Sequence, residues 1–193
     1  TLNPAVRLFP VTLDPPTLSR PLGDYERLVA ALGERYGIPR PGIDYPALVQ
    51  LPGVLRQGNW HVTAALWMER EIIALFPGEV KESYGLAVDV GSTTVAGYLC
   101  DLRSGSVIAT ESLMNPQVAY GEDVIARITY VIDHPPAGLE KLKGVIIDSL
   151  NRLIRGVTAQ AGLSPADILE VTMVGNTAMH HLLLGIDPRN LGV

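Results

Sequence analysis

Residues Tyr84-Gly-Leu-Ala-Val-Asp-Val-Gly-Ser-Thr-Thr-Val95 constrain this chain more than any others, because an apolar run reaches Asp89 and then enters a turn of small residues instead of a helix. Leu86 to Val88 have the character of a buried strand, which puts Asp89 at the strand's end. Gly91, Ser92 and Thr93 leave backbone N–H groups unobstructed, and such a turn is suited to cradling anionic oxygens. A carboxylate beside those donors points to a magnesium-assisted nucleotide site, since Mg²⁺ keeps most of its waters and takes one or two carboxylates with phosphate oxygens. The plainer reading, in which Asp89 and Gly91 only shape a turn, stays open on these residues alone.

The residues after the turn narrow the choice. A Walker loop needs G-x-x-x-x-G-K-S/T and a dinucleotide fingerprint needs G-x-G-x-x-G opening a helix, and neither spacing is present. Val95 to Leu102 read instead as a second strand, Arg103 to Ser106 as a tight turn and Val107 to Met114 as a third strand. The expectation is a meander whose first hairpin carries the phosphate loop. This arrangement resembles the first phosphate motif of the actin-like, hexokinase-like and Hsp70-like ATPases.

With 193 residues, 47% hydrophobic and 18% charged, the chain has material for a packed core. A formal charge of −5 without a basic run argues against nucleic acid or an anionic membrane as partner. No apolar stretch approaches the roughly 20 residues of a membrane span and no signal peptide opens the chain, so a cytoplasmic location is expected. The single cysteine, Cys100, excludes an internal disulfide and a four-cysteine iron–sulfur site within these residues, and reads as a small buried hydrophobe.

Ten of the fifteen prolines precede residue 80, and the opening stretch through Pro4, Pro10, Pro15-Pro16 and Pro21 reads as an extended strap. Both ends read as cut points in a longer protein. Asp24 is expected to cap a helix with Leu28, Val29, Leu32 and Tyr36 on one face, ending near Gly37 and Pro39. A short helix over 45–50 and two strands, 60–66 and 71–76, complete a small α+β module over residues 1–80, with Trp60, Trp67 and Phe76 in its core or, for Trp67, on a docking face. Pro77-Gly78-Glu79 is the expected seam. Beyond the meander, Asn115-Pro-Gln117 reads as a loop. Asp123, Val124, Ile125, Arg127, Ile128, Val131 and Ile132 give an amphipathic helix with an Asp123–Arg127 pair, and a longer helix over 139–161 buries Leu142, Ile146, Leu150, Leu153, Val157 and Ala161. Glu170 to Val174 form a fourth strand, and a last helix begins near Thr177 and closes at Gly185. The order β-β-β-α-α-β-α over 81–193 is that of an RNase H-like, actin/Hsp70-type ATPase half-domain with a mixed sheet, so the chain as a whole is α/β.

Three blocks carry a more specific resemblance: Gly85 to Val95, Asn115 to Ile128, and Val174-Gly-Asn-Thr-Ala-Met-His-His-Leu-Leu-Leu-Gly-Ile-Asp-Pro188. Together they resemble the reductive activators of corrinoid proteins, and Leu51 to Arg56 and Trp60 to Thr63 are similar to that family's middle domain. The resemblance implies that residues 1–80 are a middle domain and 81–193 the first part of a C-terminal ATPase domain. It implies ATP and Mg²⁺ as cofactors and a corrinoid protein as partner, whose cobalt is returned from Co(II) to Co(I). The electron would come from a 2Fe–2S domain that this chain does not include. A homodimer is left open. Two other readings are an actin-fold kinase of a sugar or small carboxylate and a non-enzymatic docking or dimerisation module.

By that resemblance Gly91, Ser92, Thr93 and Thr94 hold phosphates and Asp89 orients a Mg²⁺-bound water. Gly175, Asn176 and Thr177 lie beside them, with Asn176 positioning the attacking water or, equally well, capping the last helix. Gln117, Tyr120 and Asp123 line the cleft or a partner surface, or serve only loop geometry and the Asp123–Arg127 pair. His180 and His181 point about 100° apart on a helix, which suits a core or rim position better than one shared metal.

Overall fold

The computed structural model describes residues 2–191, which form two compact units: 2–83 with 102–104, and 84–101 with 105–191. In the first unit the elements are β1 (Val6–Thr12), α1 (Asp24–Tyr36), β2 (Gly42–Ile43), α2 (Tyr45–Gln57), β3 (His61–Trp67) and β4 (Glu71–Pro77). The sheet order is β1-β3-β4-β2, antiparallel except for β2, which runs parallel to β4. Val62, Ala64 and Leu66 alternate along β3 and meet Leu28 and Leu32 of α1 and Leu51 and Leu55 of α2 in one buried cluster.

Several expectations shift here for local reasons. The proline-rich opening is a paired edge strand over Val6–Thr12: Pro10 lies opposite Thr63, and an edge position tolerates a residue without an N–H. The loop after it is gathered by Arg27, 7% exposed, whose guanidinium donates to the carbonyls of Asp14, Arg20 and Leu22. Gly23, not Asp24, is the N-cap of α1, and Asp24 instead pairs with Arg56 at 2.7 Å. The second helix runs on through Pro52 to Gln57; a proline costs a helix the bond to the carbonyl four residues back, here that of the half-exposed Leu48, and the burial of Leu51 and Leu55 outweighs that loss. Trp67 is 45% exposed and Phe76 only partly buried, so of the three aromatics only Trp60 packs on the core. The unit continues past Pro77-Gly78-Glu79 because the Thr63 hydroxyl donates to Gly78 O and accepts from Val80 N–H.

The second unit contains β5 (Tyr84–Val90), β6 (Thr94–Asp101), β7 (Val107–Met114), a 3-10 turn (Pro116–Tyr120), α3 (Val124–Asp133), α4 (Ala137–Gln160), a 3-10 turn (Pro165–Asp167), β8 (Ile168–Gly175) and α5 (Thr177–Leu184). The order β-β-β-α-α-β-α holds. The sheet runs β7-β6-β5-β8, with β8 parallel to β5 and the other pairs antiparallel, which is the mixed sheet expected of an actin-type half-domain. Leu86, Val88 and Val90 of β5 and Val95 and Leu99 of β6 face a core closed by Leu142, Ile146, Leu150, Leu153 and Val157 of α4. Helix and sheet approach closely at Gly97, where a Cβ would lie 2.3 Å from a Leu153 methyl. The opposite face of the sheet exposes Ala87, Asp89, Tyr98 and Val174.

Candidate functional site

The parallel register of β5 and β8 sets Val90 beside Gly175, so the chain leaves two neighbouring strands at the same end. The turn Gly91–Thr93 follows one strand and Asn176 with the first turn of α5 follows the other. Open sheets present ligand sites at the carboxyl ends of their parallel strands, where adjacent loops part. Close approach requires glycine at 91, where a Cβ would lie 2.6 Å from Thr94 O, and leaves little room at Gly175, where one would lie 3.0 Å from Val90 O.

The loop carbonyls are each held by a donor. Gly91 O accepts from Asn115 Nδ2 at 2.8 Å, Ser92 O from Arg127 Nη2 at 2.5 Å, and Thr93 O from the Asn115 backbone N–H at 2.8 Å. Gly91 N–H donates to Thr94 O at 3.0 Å. Asn115 and Arg127 are both 0% exposed, so the first two carbonyls are drawn to the interior. In a trans peptide the N–H that follows a carbonyl points to the opposite side. The N–H groups of Ser92 and Thr93 therefore face outward, and among the described residues they meet no protein acceptor. Thr93 and Thr94 are exposed and Gly91 and Ser92 half-buried, so the cradle is open to solvent. This is an arrangement for an anionic oxygen.

Asp89 is exposed on β5 two residues before the turn, between Ala96 and Val174. A single carboxylate beside two free N–H donors fits a cation held largely through water and phosphate. Among the described residues no group of three or more His, Cys, Asp or Glu could hold a metal by itself. Thr177 begins α5 and is exposed, and its carbonyl accepts from His181 Nδ1; His180 is exposed at the rim. Asn176 caps the helix, its Oδ1 accepting from Met179 N–H at 2.9 Å. The capping alternative for Asn176 is therefore realised.

Gln117, Tyr120 and Asp123 do not line the opening together. Gln117 is 0% exposed and donates to Leu142 O, Tyr120 packs on Tyr130, and Asp123 caps α3 by accepting from Ala126 N–H. Asn115 through Tyr120 is not an open loop either, because the Asn115 carboxamide caps a 3-10 turn at Gln117 N–H. The expected Asp123–Arg127 pair is not formed: no ion pair joins them among the described residues. Arg127 instead reaches inward to Ser92 O, Gly121 O, Gln117 Oε1 and the Met179 sulfur. Burial pulls its pKa below the ordinary arginine value, with Asp123 pulling it back. Sequence reasoning thus missed Arg127, Asn115 and Met179 as parts of the loop's support. The available signal was an arginine on the same stripe as Val124, Ile128 and Val131, spaced by three, four and seven residues.

Residues 84–193 match the family model described as the RACo middle region, and residues 1–82 match that described as the RACo linker region. The middle-region description falls on the unit with the anion cradle, and the linker description on the first unit. The corrinoid activation enzyme RamQ of Eubacterium limosum is 39% identical over 124 residues, which is 63% of this chain and 21% of that protein. A solved structure titled reductive activator for corrinoid, iron–sulfur protein superposes with a TM-score of 0.84 at 35% identity, over 98% of this chain and 30% of that one. The chain spans less than a third of the length of either. With family models matched from residue 1 to 82 and from 84 to 193, the chain belongs to the RACo family of corrinoid reductive activators.

Proposed function

We propose that this chain supplies the first phosphate-binding half of the nucleotide site in an ATP-dependent activator that returns the cobalt of a corrinoid protein from Co(II) to Co(I). The observation that carries the nucleotide reading is the pair of outward N–H groups at Ser92 and Thr93, beside Asp89 and at the shared end of two parallel strands. In this reading Ser92 and Thr93 N–H, with the Thr93 and Thr94 hydroxyls, bind β- and γ-phosphate oxygens. Asp89 would hold Mg²⁺ through water, and Asn176 would fix the start of α5 next to the phosphates. When bound, Mg²⁺ supplies charge neutralisation between phosphate oxygens. A second phosphate motif and adenosine contacts would have to come from outside residues 1–193.

The corrinoid partner is supported by the family and by the relatives named above. In the intact activator a reduced 2Fe–2S cluster outside these residues would supply the one electron that takes Co(II) to Co(I), with hydrolysis of ATP to ADP and phosphate accompanying it. Kinase chemistry has no comparable support. The test is reduction of the corrinoid partner by the intact activator, followed by the visible spectrum of Co(I) with and without ATP. Asp89→Asn is expected to lower the ATP-dependent rate by about tenfold or more. An Asp89→Asn protein with unchanged ATP dependence would refute the assignment.

A further inference from the structure

We propose that Arg127 and Asn115 are the positioning residues of this cradle: from the buried side they hold the Ser92 and Gly91 carbonyls so that the next two N–H groups face the ligand, and they tie the loop to α5. The proposal rests on the nucleotide reading and deepens it.

Arg127 is wholly buried on α3, where packing alone would favour an aliphatic residue beside Val124, Ile128 and Val131. Removing a guanidinium from water costs several kcal/mol unless its donors are satisfied. Here Nε donates to Gly121 O at 2.9 Å, Nη2 to Ser92 O at 2.5 Å, and Nη1 approaches Gln117 Oε1 at 3.5 Å and Met179 Sδ at 3.4 Å. None of these acceptors carries a formal charge. The acids near it in sequence, Glu122 and Asp123, are exposed, and Asp123 spends one oxygen on Ala126 N–H. A fixed positive charge thus stands directly behind the Ser92–Thr93 peptide, on the side away from the free N–H groups. Among the described residues no carboxylate forms an ion pair with the guanidinium, and Asp123 offsets its burial only from a distance, so an anion in front of the loop would add counter-charge.

Asn115 acts beside it with a division of labour. Its Oδ1 accepts from Gln117 N–H at 2.9 Å, while its Nδ2 donates to Gly91 O at 2.8 Å and approaches Met179 Sδ at 3.8 Å. The Met179 sulfur therefore receives donors from both residues, and Met179 N–H is the group capped by Asn176. The two loops at the ends of β5 and β8 share one buried support. The chemical consequence is selectivity: the support acts on groups that meet phosphate and leaves recognition of a base or ribose untouched.

The experiment compares Mg·ATP and adenosine, each by competition against a fluorescent nucleotide, on the intact activator and its N115D, R127M and R127K variants, with a thermal melt for each. N115D keeps the acceptor for Gln117 N–H, removes the donor to Gly91 O and Met179 Sδ, and sets a carboxylate oxygen in its place. It is expected to weaken ATP about tenfold while adenosine stays within about twofold of the unsubstituted protein. R127M should show the larger ATP-selective loss, and R127K, which keeps the charge but not the planar fork, should lie between. If R127M does not fold, N115D decides. A folded N115D that binds ATP as the unsubstituted protein does, or that loses ATP and adenosine in parallel, overturns the positioning role alone. An unsubstituted protein that binds ATP no better than adenosine overturns the nucleotide reading on which it rests.

Discussion

Replacing Gly91 by alanine isolates a steric demand at the centre of the cradle. The backbone of Gly91 does not lie in the left-handed region, so alanine meets no such strain there. Its Cβ would, however, lie 2.6 Å from the Thr94 carbonyl oxygen, and that same oxygen accepts the Gly91 N–H at 3.0 Å. The loop must open by several tenths of an ångström. Overpacking of this kind costs about 1–3 kcal/mol and the weakened hydrogen bond about 1 more. The lower entropy of the unfolded alanine chain returns roughly 0.4–1 kcal/mol. The net is a destabilisation of about 2 kcal/mol, which at an m-value near 2 kcal/mol/M moves the urea midpoint down by about 1 M. Gly144 gives the internal control, because it is exposed within α4 and a Cβ there meets nothing within 4 Å. Gly144→Ala should stabilise by up to about 1 kcal/mol through helix propensity alone. In the intact activator Gly91→Ala should also weaken Mg·ATP by about tenfold, since donors displaced by half an ångström no longer converge. A Gly91→Ala protein with the urea midpoint of Gly144→Ala and unchanged ATP affinity would refute the close-approach reasoning.

Leu153→Ala removes the side chain seated over Gly97 between α4 and the sheet, and should cost about 3 kcal/mol in urea unfolding; a loss under about 1 kcal/mol would mean that the contact is not a principal core contact. Asn176→Ala should cost about 1 kcal/mol by stripping the cap of α5, whereas Asn176→Asp, which keeps an acceptor for Met179 N–H, should hold stability. Equal losses of stability in the two would show that the carboxamide nitrogen matters more than the cap.

The second unit was legible from sequence because its signals are local. Turn residues at 91–93 and 103–106 divide alternating strands, and the stripe Leu142, Ile146, Leu150, Leu153, Val157 repeats every three or four residues along one helix. The first unit was less so. Prolines at 10 and 52 mark breaks by local rules, yet one sits on an edge strand and the other inside α2, because neither position needs the missing N–H as much as the unit needs the burial around it. Gly23 took the cap of α1 while Asp24 paired with Arg56, a partner 32 residues away that no local pattern announces.

Arg127 shows where spacing rules end in the site itself. An acid and an arginine four residues apart suggest a surface pair worth a few tenths of a kcal/mol, which assumes that both side chains stay in water. The helix face decides otherwise: Ile125 and Ile132 are 58% and 48% exposed, while Arg127, Ile128 and Val131 are buried, so the stripe that packs is rotated away from the most apolar-looking choice. Once inside, the guanidinium has one carbonyl within reach that belongs to the phosphate turn, and it lies 35 residues earlier. A sequence can display the turn and display the arginine, but the link between them exists only after α3 packs against α4, α5 and the 3-10 turn at Pro116–Tyr120. If that link did nothing beyond packing, methionine at 127 would leave the ratio of ATP to adenosine affinity unchanged. A ratio that falls with the fork and recovers in part with lysine would assign the buried charge to the ligand in front of the loop.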